Sequence, residues 1–150
     1  MLILAIDPGN VNSAYVLMKK ETYKPIEFGL LENNLVREKV LNLDYDCLAI
    51  EMVASYGMAV GESVFDTCVW IGRFIECVQE RNIPYTRVYR IEEKMNICHD
   101  SRAKDSNIRQ ALIDRFGIVG TKKNPGFFYG FKKDIWAAYA VGCTYIDMTL

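Results

Sequence analysis

Leu2-Ile3-Leu4-Ala5-Ile6-Asp7-Pro8-Gly9 is the stretch on which the reading of this chain turns. Its apolar residues occupy both parities, so a strand made from it buries both faces, as a central strand of an α/β sheet does; a one-sided strand would alternate. Pro8 and Gly9 end the run sharply. Asp7 therefore stands at the carboxyl end of a rigid strand, on the rim where open α/β sheets place their ligands.

Cys47-Leu48-Ala49-Ile50-Glu51 repeats that design, an apolar run closed by a carboxylate. Between the two runs, residues 13–18, after the turn Asn10-Val11-Asn12, and residues 26–31 read as strands. Their short connections make them antiparallel neighbours. Residues 33–42 form a polar amphipathic segment. A strand, helix, strand connection in one sheet is normally a right-handed crossover, which lays the Glu51 strand parallel to another with its end on the same rim. If it lies beside the first strand, Asp7 and Glu51 become neighbours.

Residues 52–61 carry two glycines and read as a loop. Residues 62–81 then have helical spacing, with one apolar stripe at Val64, Cys68, Ile71, Ile75 and Val78 and a second at Phe65, Val69, Trp70, Phe74 and Cys77. A helix apolar nearly all round needs cover on more than one side, which points to a homodimer built on it, with burial inside the monomer as the alternative. Residues 83–89 are a fifth strand, followed by a short helical segment at 91–97. Residues 103–116 form an amphipathic helix with Ile108, Ala111, Leu112 and Phe116 inward. Lys104 lies in its first turn, where a cation opposes the helix dipole at a cost of up to ~1 kcal/mol, so a phosphate or carboxylate is expected nearby.

Residues 121–133 form a turn-rich loop in which Lys122, Lys123, Lys132 and Lys133 flank Phe127, Phe128, Tyr129 and Phe131. Exposed rings between bases suit backbone contact plus base stacking; rings tucked onto the core are the alternative. The last helix begins near Asp134, with the small residues Ala137, Ala138 and Ala140 allowing close packing on the sheet. Asp134 could simply cap it.

Composition bounds these readings. With 150 residues, 51% of them hydrophobic, the expectation is one domain over residues 1–150. No apolar run reaches the roughly 18 residues of a membrane span, and signal-peptide features are lacking, so the expectation is a cytoplasmic protein without membrane contact. The five cysteines, Cys47, Cys68, Cys77, Cys98 and Cys143, show no Cys-x-x-Cys pair and read as buried thiols, and His99 beside Cys98 lacks nearby co-ligands. Net charge is −1, yet between Arg81 and Lys133 twelve Lys and Arg stand against five Asp and Glu. That basic half can supply a phosphate-facing surface.

Asp7 and Glu51 ending strands on one rim, with Asp134 opening a helix that can pack across it, would repel one another unless a divalent cation sat between them. All-oxygen ligands select Mg²⁺ or Mn²⁺. Two such ions about 3.5 to 4 Å apart can stabilise both oxygens of a phosphoryl displacement.

The ordered set Ala5-Ile6-Asp7-Pro8-Gly9, Ala49-Ile50-Glu51, Arg102-Ala103-Lys104 and Lys133-Asp134-Ile135-Trp136-Ala137-Ala138-Tyr139-Ala140 resembles the RuvC-type Holliday junction resolvases of the ribonuclease H-like superfamily, which include small phage- and virus-encoded members acting in the host cell. The resemblance implies an α/β fold: a five-stranded mixed sheet, three antiparallel strands then two parallel, flanked by helices. It implies a homodimeric, Mg²⁺- or Mn²⁺-dependent endonuclease of recombination and repair that hydrolyses phosphodiesters in four-way or other branched DNA. Asp7, Glu51 and Asp134 match the metal-binding acids and Lys104 the catalytic lysine. Tyr56 and Phe65 are candidates for stacking on opened bases, and Arg102, Lys122, Lys123, Lys132 and Lys133 for the DNA backbone.

One position departs from the pattern. Family members often carry a further acid one helical turn after the Asp134 position, and here it is Ala137. Either three carboxylates suffice, or Glu62 or Asp66 approaches from the neighbouring helix, or one ion binds. Two other readings stand beside the nuclease: a catalytically inactive binding module of the same fold, and an ATP-binding sugar-kinase or actin-like domain, for which 150 residues leave no second lobe.

Overall fold

The computed structural model describes all 150 residues. Strands β1 (Leu2–Asp7), β2 (Asn12–Lys19) and β3 (Pro25–Glu32) form an antiparallel meander, as their short turns require. Helix α1 (Asn33–Asn42) carries the chain over to β4 (Cys47–Met52), which pairs parallel with β1. Helix α2 (Glu62–Glu80) then leads to β5 (Tyr85–Tyr89), parallel to β4, giving the order β3-β2-β1-β4-β5. Helices α3 (Arg90–Cys98), α4 (Asp105–Phe116) and α5 (Ile135–Met148) complete the chain. The expected five-stranded mixed sheet is the observed one, with boundaries shifted by one or two residues.

Alternation along the central strands divides the core in two. Leu4, Ile6, Tyr15, Leu17, Leu48 and Ile50 face α1 and α2, where Val36, Val40, Ile71, Phe74, Cys77 and Val78 meet them. Ile3, Ala5, Ala14, Val16, Cys47, Ala49 and Val88 face the other way, onto α5. Helix α5 is apolar almost all round because sheet, α3, α4 and the preceding loop enclose it. Gly142 is its point of closest approach: a Cβ there would lie 2.4 Å from Met18 Sδ and 3.0 Å from Ala5 Cβ.

The structure decides two points that the sequence left open. The rings of the 121–133 loop are not a free stacking platform: Phe128 and Phe131 are buried, packed against Trp136 and Tyr139, and Phe127 stacks on Phe116 at 5.2 Å. Only Tyr129 is exposed. Burying large rings is worth more than leaving them beside lysines, and the apolar flank of α5 offers them a place. Helix α2, in turn, is not buried all round. Its second half is anchored by Ile71, Phe74, Cys77 and Val78, whereas Phe65 and Val69 stand open at 58% and 61% exposure.

Candidate active site

Register places the first two acids. Ile6 of β1 pairs with Ile50 of β4, so Asp7 and Glu51 follow at the same level. Sharing parity with Ala5 and Ala49, both carboxylates lie on the α5 face of the sheet. The turn after Asp7 is locked from below. Gly9 N–H donates to Ser13 Oγ (3.0 Å), Ser13 Oγ–H donates to Asn33 Oδ1 (2.5 Å), and Asn33 Nδ2 donates to the Gly9 carbonyl (2.9 Å). Ser13 and Asn33 are both buried. A side chain at Gly9 would meet the Asn12 carbonyl oxygen at 2.2 Å, so only glycine lets the chain reverse this tightly.

Asp134 arrives from the other side. It precedes α5, and Lys133 before it holds a left-handed φ of 49°, a conformation costly for a residue with a Cβ. The Asp134 side chain makes no capping hydrogen bond, so its carboxylate is not consumed by the helix it opens. Its charge is felt at Asp7. Burial, then the charges of Glu51 and Asp134 and a hydrogen bond shared with Glu51, push the Asp7 carboxyl up to about 8; Arg90 acts in the opposite direction.

A fourth carboxylate, unforeseen in the sequence, joins them. Glu93, in the first turn of α3, is fully buried and in contact with the Glu51 carboxyl; burial first and that contact second hold its pKa well above the usual range. Glu51 Oε1 and Glu93 Oε2 are buried oxygens to which the protein offers no donor. Arg90 Nη1 reaches Glu93 Oε1 at 3.4 Å, and the same guanidinium pairs with the exposed Asp105. The sequence did hold a signal. Because β5 is parallel to β4, its carboxyl end lies on the same rim, and Glu92-Glu93 follow directly. Glu92 Oε1 accepts from Tyr89 N–H at 2.9 Å as a capping residue would, which leaves Glu93 unassigned.

Beside the acids a cavity of about 180 Å³ is lined by Arg90, Arg109, Lys133, Asp134, Trp136 and Ala137, among others. Three cations line it against two acids, Asp105 and Asp134; Arg90 is paired with Asp105, which leaves Arg109 and Lys133 for an anionic ligand. Lys104 is the N-cap of α4 rather than a first-turn residue; its backbone N–H donates to Asn107 Oδ1 (2.8 Å) and its exposed ammonium makes no ion pair. The cation whose field lowers the pKa of both Asp7 and Glu93 is Arg90. Tyr56 and Phe65, on the loop after β4 and the start of α2, are exposed, as are Arg102, Lys122, Lys123, Lys132 and Lys133. Glu62 and Asp66 are exposed on α2, in the layer on the opposite face of the sheet from the acids.

The five-stranded sheet in the order 3-2-1-4-5, three strands antiparallel and two parallel, flanked by helices, has the fold of solved RuvC structures. Solved structures bear the fold out. Thermus thermophilus RuvC superposes with a TM-score of 0.75 at 14% identity, covering 99% of this chain and 97% of that one. T. thermophilus RuvC in complex with Holliday junction substrate gives 0.74 at 15% identity over 99% and 96%. Fowlpox virus resolvase, solved with substrate Holliday junction DNA, gives 0.53 at 14% identity over 97% and 99%. No family model matches the chain, and no curated protein matches it in sequence.

The side chains at this rim fit a hard divalent cation. Their donors are all carboxylate oxygens, two of them buried without a hydrogen-bond partner, and the mutual repulsion that raises Asp7 is what a cation would relieve. Their chemistry suits the ion, but as placed no three Asp, Glu, His or Cys side chains lie close enough together to hold one. No helix is long and apolar enough to cross a membrane.

Proposed function

We propose that this chain is a divalent-metal-dependent endonuclease that resolves four-way DNA junctions or related branched DNA by phosphodiester hydrolysis. The observation that carries the reading is that Asp7 and Glu51 directly follow the paired Ile6 and Ile50 of adjacent parallel strands, with an uncapped Asp134 close enough to raise the pKa of Asp7. Supporting it is the fold shared with a RuvC and a resolvase that were each solved on Holliday junction DNA.

Asp7, Glu51 and Asp134 would hold Mg²⁺ or Mn²⁺, which supplies Lewis acidity toward water and phosphate oxygens. Arg90, Arg109 and Lys133 line the cavity next to the acids and offset the charge of a phosphate drawn toward them. Lys104, unpaired at the start of α4, is free to reach the scissile phosphate. Arg102, Lys122, Lys123 and Lys132 track the flanking backbone, while Tyr56 stacks on a base opened at the branch. The exposed apolar patch of Phe65 and Val69 on α2 is covered by a second copy, which sets two sites against two strands.

A second reading, an inactive binding module, is favoured by Ala137 where the pattern places an acid. One experiment separates them. Labelled four-way, three-way and linear duplex DNA are incubated with the protein in Mg²⁺ and in chelator. Chelator-sensitive cutting of branched DNA is the expected result; binding without cutting identifies the inactive module, and neither binding nor cutting overturns both.

A further inference from the structure

Glu93 performs no task in the fold that its placement explains. Its carboxyl is wholly buried, touches another carboxyl, and leaves Oε2 without a donor, while its one cationic neighbour, Arg90, stands at a long 3.4 Å and is shared with Asp105. A buried carboxylate kept only as a counter-ion for Arg90 would close on it and turn its free oxygen toward solvent or a donor. Instead Glu93 touches Glu51, each carries one buried oxygen without a donor, and the charge of Asp7 is felt there.

The last helix leaves the acid set one carboxylate short of the family pattern. Ala137, one turn into α5, lines the same cavity as Asp134 and Arg90 but offers no donor. Glu62 and Asp66 are exposed on α2, on the far side of the sheet. Resting on the metal-dependent reading above, we propose that Glu93 is the fourth metal-ligating carboxylate, supplied by α3 in place of the acid missing from α5. A cation held there would give each of the two orphaned oxygens a partner, and Asp7, Glu51, Glu93 and Asp134 would be its carboxylate donors.

Mn²⁺ binding by isothermal titration calorimetry tests this without cleavage, on the wild type, Glu93→Gln, Asp7→Asn and the double variant Glu93→Gln/Ala137→Asp. The expected result is that Glu93→Gln loses one bound Mn²⁺ or weakens binding at least tenfold, and that Ala137→Asp restores part of it. Unchanged Mn²⁺ binding by a folded Glu93→Gln protein overturns the proposal. If the wild type and Asp7→Asn bind Mn²⁺ equally poorly, the metal-dependent reading itself fails; if Asp7→Asn loses binding and Glu93→Gln does not, only the role of Glu93 falls. Diffraction from wild-type crystals soaked in Mn²⁺ gives a readout independent of any variant's folding. A Glu93 oxygen at about 2.1 Å from a Mn²⁺ supports the assignment. Mn²⁺ seated on Asp7 and Glu51 with Glu93 remote from it overturns it.

Discussion

Asp7 and Glu51 stand side by side at the ends of two adjacent parallel strands, each directly after a paired isoleucine, and their carboxyl groups share a hydrogen bond. Two acids so placed burden the fold unless they are used. Asp7→Asn is therefore expected to do two opposite things. It lowers Mg²⁺-dependent cleavage of a four-way junction by at least ~10²-fold. It also raises the stability of the metal-free protein by about 1 to 3 kcal/mol, since a neutral amide replaces a half-buried, crowded carboxylate. Urea unfolding in chelator checks the second effect; a less stable Asp7→Asn protein would show that the acid serves the fold.

The raised pKa of Asp7 also fixes the sign of a pH effect. The folded state holds this proton up to about pH 8, whereas the unfolded chain releases it near the usual 3.8. Between those values the folded protein binds more protons, so the metal-free fold loses stability as pH rises. A cation displaces the proton and binds better as pH rises. The increase in Tm caused by Mn²⁺ is expected to be larger at pH 8 than at pH 6, and Asp7→Asn to flatten the difference. An equal increase at both pH values would exclude a proton-linked site.

Much of this was legible from two patterns, runs apolar at both parities and the carboxylates that end them. Leu2 to Asp7 and Cys47 to Glu51 carried the sheet order, because a central strand has to be covered on both faces. What the sequence left open was which surface an apolar side chain finds. Phe128 and Phe131, flanked by lysines, could stack on bases or fill the flank of α5, and they fill it; Phe65 and Val69 could be covered inside the monomer or by a second copy, and in the monomer no layer lies over them. Glu93 was hidden for a related reason. Burial of an acid in a first helical turn depends on α3 folding back over the rim, and periodicity carries no trace of that.

The small residues of α5 matter most at Gly142. A Cβ there meets Ala5 on the central strand, which has no flexible end to move aside, as well as Met18. Gly142→Val is expected to cost about 1 to 3 kcal/mol through overpacking, despite better helix propensity. Chemical denaturation measures it; a stability equal to wild type would show that the contact of α5 with the sheet yields without cost.

Far from the acids, one carboxylate ties four elements together. Asp147 of α5 accepts from Arg115 of α4 through both guanidinium nitrogens (2.8 and 2.9 Å), from Asn96 of α3 (2.8 Å) and from the Tyr23 hydroxyl in the β2–β3 turn (2.7 Å). Burial pushes the carboxyl up, but these donors outweigh it and bring its pKa down to about 2 from the usual 3.8. A depressed pKa stabilises the fold above the unfolded value, and that contribution is lost as pH falls toward 2. Asp147→Asn is expected to cost about 2 kcal/mol at pH 7, a figure reduced for solvent screening, and much less at pH 2. Urea titrations at both pH values decide it: an equal cost would assign the effect to packing instead of charge.

Helix α2 offers the test of assembly. Phe65 and Val69 protrude from its first half, four residues apart and so on one face, and nothing in the monomer covers them. Exposed apolar pairs of this kind add little to the stability of a lone chain, whereas a second copy would bury them. Sedimentation at micromolar concentration is expected to show a dimer for the wild type and a monomer for Val69→Lys, with the Tm of the monomer close to that of the wild type extrapolated to low concentration. Symmetric cutting of a four-way junction should then fall to single nicks, because one site no longer carries its partner to the opposing strand. A wild type that sediments as a monomer would remove the dimer and assign Phe65 and Val69 to contact with DNA.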